Sequence, residues 1–259
     1  MTGLRRRAAS LALLAGGLGG LSGLSACSLL RQESRIPIDM LTDDRACTKT
    51  QAPVLLVLLP GAHMAPAELV QQGFVAALRQ RGLAVDVLIP DSNLGYVYER
   101  SIMRRLHDEV IAPARASGYR RVWLAGISLG GFLAMGYAMR HPGQIEGLLT
   151  LAPYLGRRPL LQAVAAAGPA EWRNAARPRD AQDVEHDLWM WLTDPAATRP
   201  VHFLGFGRED RFADGHQLLA GLLPPDQVQV VPGGHDWAPW QRLWANWLDR
   251  GLLPRQCPA

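Results

Sequence analysis

Lysine is almost missing from this 259-residue chain: Lys49 is the only one, and arginine carries nearly all the positive charge. That is a habit of composition and points to no function. Cysteine is scarce too, with only Cys27, Cys47 and Cys257. No CxxC pair and no Cys/His spacing of the kind that closes a zinc site occurs. His63, His107, His141, His186, His202 and His216 likewise show no metal-ligand spacing and read as surface or packing residues. Neither a metal nor another cofactor is expected. No internal repeat is present. The most apolar stretch, Ala8 to Leu24, is rich in glycine and shorter than the roughly 20 residues of a comfortable membrane span. Gly156 to Arg199 contains no strand-like run.

The N-terminus has the layout of an export signal. Arg5, Arg6 and Arg7 form a positive head, the apolar stretch follows, and Leu24-Ser25-Ala26-Cys27 closes it. This tetrapeptide resembles the lipobox of bacterial lipoproteins. The resemblance implies cleavage before Cys27, a diacylglycerol on its thiol and acylation of the new amine, which together anchor stably where one chain binds reversibly. An ordinary secretory signal or an uncleaved anchor, with Cys27 incidental, is the alternative. Residues 1–26 are thus expected to be a signal peptide, 27–51 a polar tether and 52–259 one domain, held in a bacterial cell envelope and facing the periplasm. Ser28 fits an outer-membrane destination in envelopes that sort on that position.

Removing the signal alters the charge argument. It holds three of the 27 basic residues and none of the 23 acidic ones, so the remainder carries 24 − 23 = +1. The pI of 9.3 therefore implies no nucleic-acid partner. In an oxidising compartment a Cys47–Cys257 bridge would tie both ends to the domain; two unpaired thiols, unusual in a secreted protein, are the other possibility.

What the chain has in quantity is short apolar runs alternating with helical ones. Val54–Leu59, Ala84–Ile89, Arg121–Ile127, Ile145–Leu151, Pro200–Phe206 and Gln227–Val231 read as strands buried on both faces. Pro66 to Arg81, Val97 to Ser117 (with a break at Pro113), Gly131 to Arg140 and Trp237 to Leu248 read as helices. The alternation predicts an α/β fold, an open and mostly parallel sheet of about six strands with helices on both faces. Gly156 to Arg199 reads as a helical cap insertion. Its tryptophans either face the site or pack the insertion onto the sheet.

Gly126-Ile127-Ser128-Leu129-Gly130 sits between a predicted strand and a predicted helix. A serine at the apex of such a turn has its hydroxyl lifted clear of the sheet, and flanking glycines permit the close packing. A hydroxyl needs a base to take its proton, and the base needs a third group to orient it. Asp210, in Gly207-Arg208-Glu209-Asp210, follows one later strand, and His235, in Pro232-Gly233-Gly234-His235, follows the next. A charged surface loop is the rival reading for Asp210, and a turn residue the rival for His235. Asp236 reads as a brace of the histidine loop.

The order Ser128, Asp210, His235 is that of the α/β-hydrolases, and the chain from about Val54 to Leu248 resembles that family. The histidine loop, with Trp237 and Trp240, is similar to that of the esterase-D-like and mycolyltransferase-like branches. One or two leading strands of the family look missing or reduced. The resemblance implies an α/β-hydrolase fold and a serine hydrolase cleaving carboxylic esters through an acyl-enzyme, with Ser128 as nucleophile, His235 as general base and Asp210 as its partner. It implies backbone oxyanion donors at Leu129 and Ala62, with His63 an alternative to Ala62. The substrate would be a small-molecule or lipid ester. A thioesterase or acyltransferase would use the same residues, and a non-catalytic envelope protein could retain the scaffold. Dehalogenase or epoxide-hydrolase chemistry needs an aspartate where Ser128 stands. Tyr96 and Tyr98 either line the acyl side of the cleft or cover the sheet edge.

Overall fold

A computed structural model of the chain describes the backbone of Arg5–Arg6 together with residues 33–175 and 183–258. The signal peptide, the lipobox and Cys27 otherwise lie outside the described residues, as does part of the insertion. The sheet begins with two short strands, β1 (Arg5–Arg6) and β2 (Met40–Asp43). Six longer runs follow: β3 (Val54–Leu59), β4 (Val85–Pro90), β5 (Arg121–Ile127), β6 (Gly147–Leu151), β7 (Val201–Gly207) and β8 (Val228–Val231). These six are the predicted strands, and β3 is buried at every residue. The spatial order is β1-β2-β4-β3-β5-β6-β7-β8. All pairs from β4 to β8 are parallel, while β1 and β2 pair antiparallel at one edge. Arg5–Arg6 belongs to the segment expected to be removed; seven strands remain without it.

The helices are α1 (Pro66–Gln71), α2 (Phe74–Gln80), α3 (Leu94–Tyr98), α4 (Ile102–Arg105), α5 (Ala112–Ala116) and α6 (Leu129–Arg140). After them come α7 (Arg158–Ala167), α8 (Pro169–Ala175), α9 (Val184–Leu192), α10 (Ala213–Ala220) and α11 (Trp237–Asp249). Two predicted helices are divided. The first breaks at Gly73, whose φ is 83°. The stretch around Pro113 splits into α3, α4, a π-helical turn over Leu106–Ile111, and α5. Proline offers no N–H and its ring clashes with the carbonyl four residues back, so the helical register widens just ahead of it.

The expected tether is in part structural. Ile38 is buried at 3% exposure, Asp91 N–H donates to Asp39 O at 2.7 Å, and β2 pairs along β4. Tyr96 is buried with its hydroxyl donating to Arg35 O at 2.7 Å, which ties it to the segment leading into β2, while Tyr98 is exposed. Cys47 and Cys257 are bonded, their Cα atoms 5.8 Å apart, beside Ala52 and Ala84 at the N-terminal ends of β3 and β4.

The insertion carries α7, α8 and α9 and no strand among its described residues. Its tryptophans pack it down. Trp189 is fully buried with its indole N–H on Leu155 O at 2.7 Å, and α9 lies against α6. On the other face, Trp240, Leu243, Trp244 and Trp247 of α11 are all buried, as their one-sided spacing predicts.

Candidate active site

In a parallel sheet, ligands bind beyond the carboxyl ends of the strands, where the strand order reverses. Here that place is the end of β3 and β5, with β7 and β8 supplying two further loops. Ser128 follows β5 and has φ 52° and ψ −112°, a strained conformation for a residue with a side chain. Backbone hydrogen bonds hold it there. Its N–H donates to Leu151 O at 2.9 Å, and its carbonyl accepts from Phe132 N–H at 3.2 Å and Tyr154 N–H at 2.8 Å. The flanking glycines are required by proximity. A Cβ on Gly126 would lie 2.3 Å from the Gly130 carbonyl, and one on Gly130 would lie 2.0 Å from Leu59 O.

The loop after β7 brings Asp210, and the loop after β8 brings His235. Ser128 Oγ stands 3.0 Å from His235 Nε2, and Asp210 Oδ2 accepts from His235 Nδ1 at 2.7 Å. The Asp210 side chain has no exposed surface and that of His235 only 9%. Burial pushes the Asp210 carboxyl upward, but the hydrogen bonds from His235 and from Phe212 N–H (2.8 Å to Oδ1), with the attraction of His235, outweigh it. Asp210 is therefore held below the ordinary carboxylate range and ionised at neutral pH. An ionised partner requires the imidazole proton on Nδ1, which leaves the Nε2 lone pair facing Ser128.

The two loops are laced together by a residue whose role is invisible in sequence. Glu209 Oε2 accepts from Gly233 N–H at 2.5 Å, and Glu209 N–H donates to Gly233 O at 3.0 Å. Phe212 and Trp240 then clasp the imidazole edge-on, each ring centroid 5.0 Å away and nearly perpendicular. A charged loop and an aromatic after it were the only sequence signals for Glu209 and Phe212. Asp236 caps α11, accepting from Ala238 N–H at 3.2 Å, and so braces its loop.

After β3 the chain makes a tight turn in which Met64 N–H donates to Gly61 O at 3.1 Å, with His63 left-handed at φ 63°. Ala62 occupies its first central position. Among the described residues, the N–H groups of Ala62 and Leu129 have no backbone acceptor.

Four other histidines are occupied elsewhere. His202 is buried against Thr150 at 2.8 Å, and burial pushes its pKa down to about 3. His216 is buried behind the site on Pro153 O at 3.0 Å, and His107 stacks on His141. Among the described residues no group of three or more His, Cys, Asp or Glu side chains is placed to hold a metal ion.

Together, the doubly covered parallel sheet and a serine on a strained strand-to-helix turn define the class: an α/β-hydrolase. The Esterase family model matches residues 85–248. The chain belongs to that family and is a carboxylic ester hydrolase of the serine type. No curated protein matches it in sequence. Among solved structures it is similar to S-formylglutathione hydrolase (FrmB) from Staphylococcus aureus, with 16% identity, TM-score 0.56, and coverage of 82% of this chain and 89% of that one. The fluorophosphonate-binding serine hydrolase FphF of the same organism gives 15%, 0.55, 82% and 91%. Est1E from Butyrivibrio proteoclasticus gives 15%, 0.53, 82% and 93%. At such identities the likeness is one of fold.

Proposed function

We propose that Ser128, His235 and Asp210 are the catalytic triad and that hydrolysis runs through an acyl-enzyme. The observation that carries this is the imidazole bridging a serine hydroxyl and a buried carboxylate, at 3.0 and 2.7 Å. His235 Nε2 takes the Ser128 proton as Oγ attacks the ester carbonyl. The tetrahedral oxyanion is received by the N–H groups of Ala62 and Leu129; losing one such donor costs about 3–4 kcal/mol in the transition state. The imidazolium, steadied by Asp210, returns its proton to the departing alcohol, and water reverses the steps to free the acid. FphF, a fluorophosphonate-binding serine hydrolase of similar fold, supports the reading. The test is a fluorophosphonate probe followed by peptide mapping, beside Ser128→Ala. Labelling at Ser128 with loss of esterase activity in the variant is expected; an active, labelled variant would sink the assignment.

The substrate in this reading is a small-molecule or lipid ester, and the enzyme is tethered by lipid on Cys27 in a bacterial envelope. The lipobox-like Leu24-Ser25-Ala26-Cys27 supports the tether. Incorporation of labelled fatty acid into the expressed chain, lost in Cys27→Ser, checks it. A wild-type chain that takes up no label refutes it.

A further inference from the structure

Beside the site, between the start of α7 and α10, lies a cleft of about 720 Å³ that reaches Tyr154 and Phe212. Both belong to the site. Tyr154 N–H holds the Ser128 carbonyl, and Phe212 flanks His235. The cleft therefore adjoins the site through two residues that touch Ser128 and His235.

The cleft is positively charged. Arg157, Arg158 and Arg211 line it against one acid, Asp214. Arg157 is already offset, meeting Glu185 at 2.8 Å and Asp183 at 3.4 Å. Arg158 and Arg211 are exposed and form no ion pair among the described residues; Arg211 lies over the Phe212 ring at 4.9 Å. The position of Arg158 also opposes the electrostatics of its own helix. It is the first residue of α7, a 10-residue helix with no acid in its first turn and no side-chain cap, and Arg157 precedes it. A carboxylate already stands at that helix start, where Glu185 Oε2 accepts from Arg157 N–H at 3.0 Å and offsets Arg157, whereas Arg158 has no such partner among the described residues. Arg158 and Arg211 therefore bring two unpaired cations to one open cleft.

We infer that this cleft binds an anionic group, a carboxylate or a phosphate, on the ester substrate through Arg158 and Arg211 at the start of α7. The inference rests on Ser128 and His235 being the reacting groups. A negative charge a few bonds from the scissile carbonyl is then what the enzyme selects.

The test compares kcat/KM within two matched pairs. On the acyl side, nitrophenyl butyrate is set against the nitrophenyl monoester of glutaric acid. On the alcohol side, propyl acetate is set against the acetate ester of hydroxypropyl phosphate. At least one anionic member should be preferred by on the order of tenfold, the size expected of charge-assisted hydrogen bonds. The preference should reside mainly in KM and shrink with added salt. It should collapse in Arg158→Gln/Arg211→Gln and persist in part in Arg158→Lys/Arg211→Lys, with melting temperatures showing both variants folded. Equal rates within both pairs, or a preference that the Gln variant keeps, would overturn the inference alone. No turnover of any ester and no phosphonate labelling of Ser128 would instead remove the reading beneath it.

Discussion

Asp210→Asn is the most demanding test of the site, because the structure dictates which way the new amide must point. Asp210 Oδ1 accepts from Phe212 N–H at 2.8 Å, and Oδ2 accepts from His235 Nδ1 at 2.7 Å. The amide oxygen has to stay on Phe212, since an NH₂ group there would face another donor. Its NH₂ group must then face Nδ1, which can accept only if the imidazole proton moves to Nε2. Ser128 Oγ, 3.0 Å from Nε2, would meet a donor in place of a base. A shape-preserving change should thus lower kcat by about 10⁴-fold, the cost of the wrong tautomer in such a triad. At about 1.36 kcal/mol per factor of ten, that is roughly 5.4 kcal/mol of transition-state stabilisation. Steady-state kinetics on an activated ester, with the rate of phosphonate labelling, should show the fall together. The melting temperature should move little, because the substitution keeps the contacts and volume. A loss under about tenfold, well short of that tautomer penalty, would mean that Asp210 does not set the imidazole proton. An equally large loss accompanied by unfolding would mean that the residue is structural.

Two further outcomes follow from features away from the reaction. Replacing both Cys47 and Cys257 by serine opens a link spanning 210 residues at the opposite end of the sheet. It should cost about 3–5 kcal/mol of stability and lower the melting temperature by roughly 10 °C with kcat intact; an unchanged melting temperature refutes it. Burial holds His202 neutral with its pKa down at about 3, so below the unfolded value of about 6.5 the unfolded chain binds the extra proton. Stability from this histidine is complete above that pH and falls by about 1.4 kcal/mol per unit toward pH 3. His202→Gln should flatten a plot of denaturant-derived stability against pH by one proton. An identical slope in the variant would show that His202 is not the group responsible.

The parts of the molecule that were legible in sequence share a physical cause. Five of the six parallel strands, all but the edge strand β8, are buried along nearly their whole length, so the burden of burial falls on consecutive residues and shows as a run. Ser128, Asp210 and His235 each sit just past such a run, which makes their roles a matter of chain order. β2 escaped because Met40–Asp43 is a short strand in the antiparallel margin of the sheet, half-buried at every position, with too few apolar residues to form a pattern. The choice between bridge and free thiols could not be made from Cys47 and Cys257 alone, because the pairing depends on how the domain folds back across its length. The clasp on His235 is harder still. Phe212 meets the ring from the loop after β7 and Trp240 from α11, while Glu209 joins the two loops through Gly233, and of the three only Trp240 belongs to a recognisable pattern, that of the histidine loop. Gly207 belongs with them. A Cβ there would lie 2.1 Å from Gly233 O, so the acid loop and the histidine loop can close on each other only over a bare backbone. The identity of the three residues proposed to react is thus written locally, while the fine distances between them are set by contacts between loops 25 residues apart in sequence. Changes in those contacts should therefore affect kcat before they affect folding.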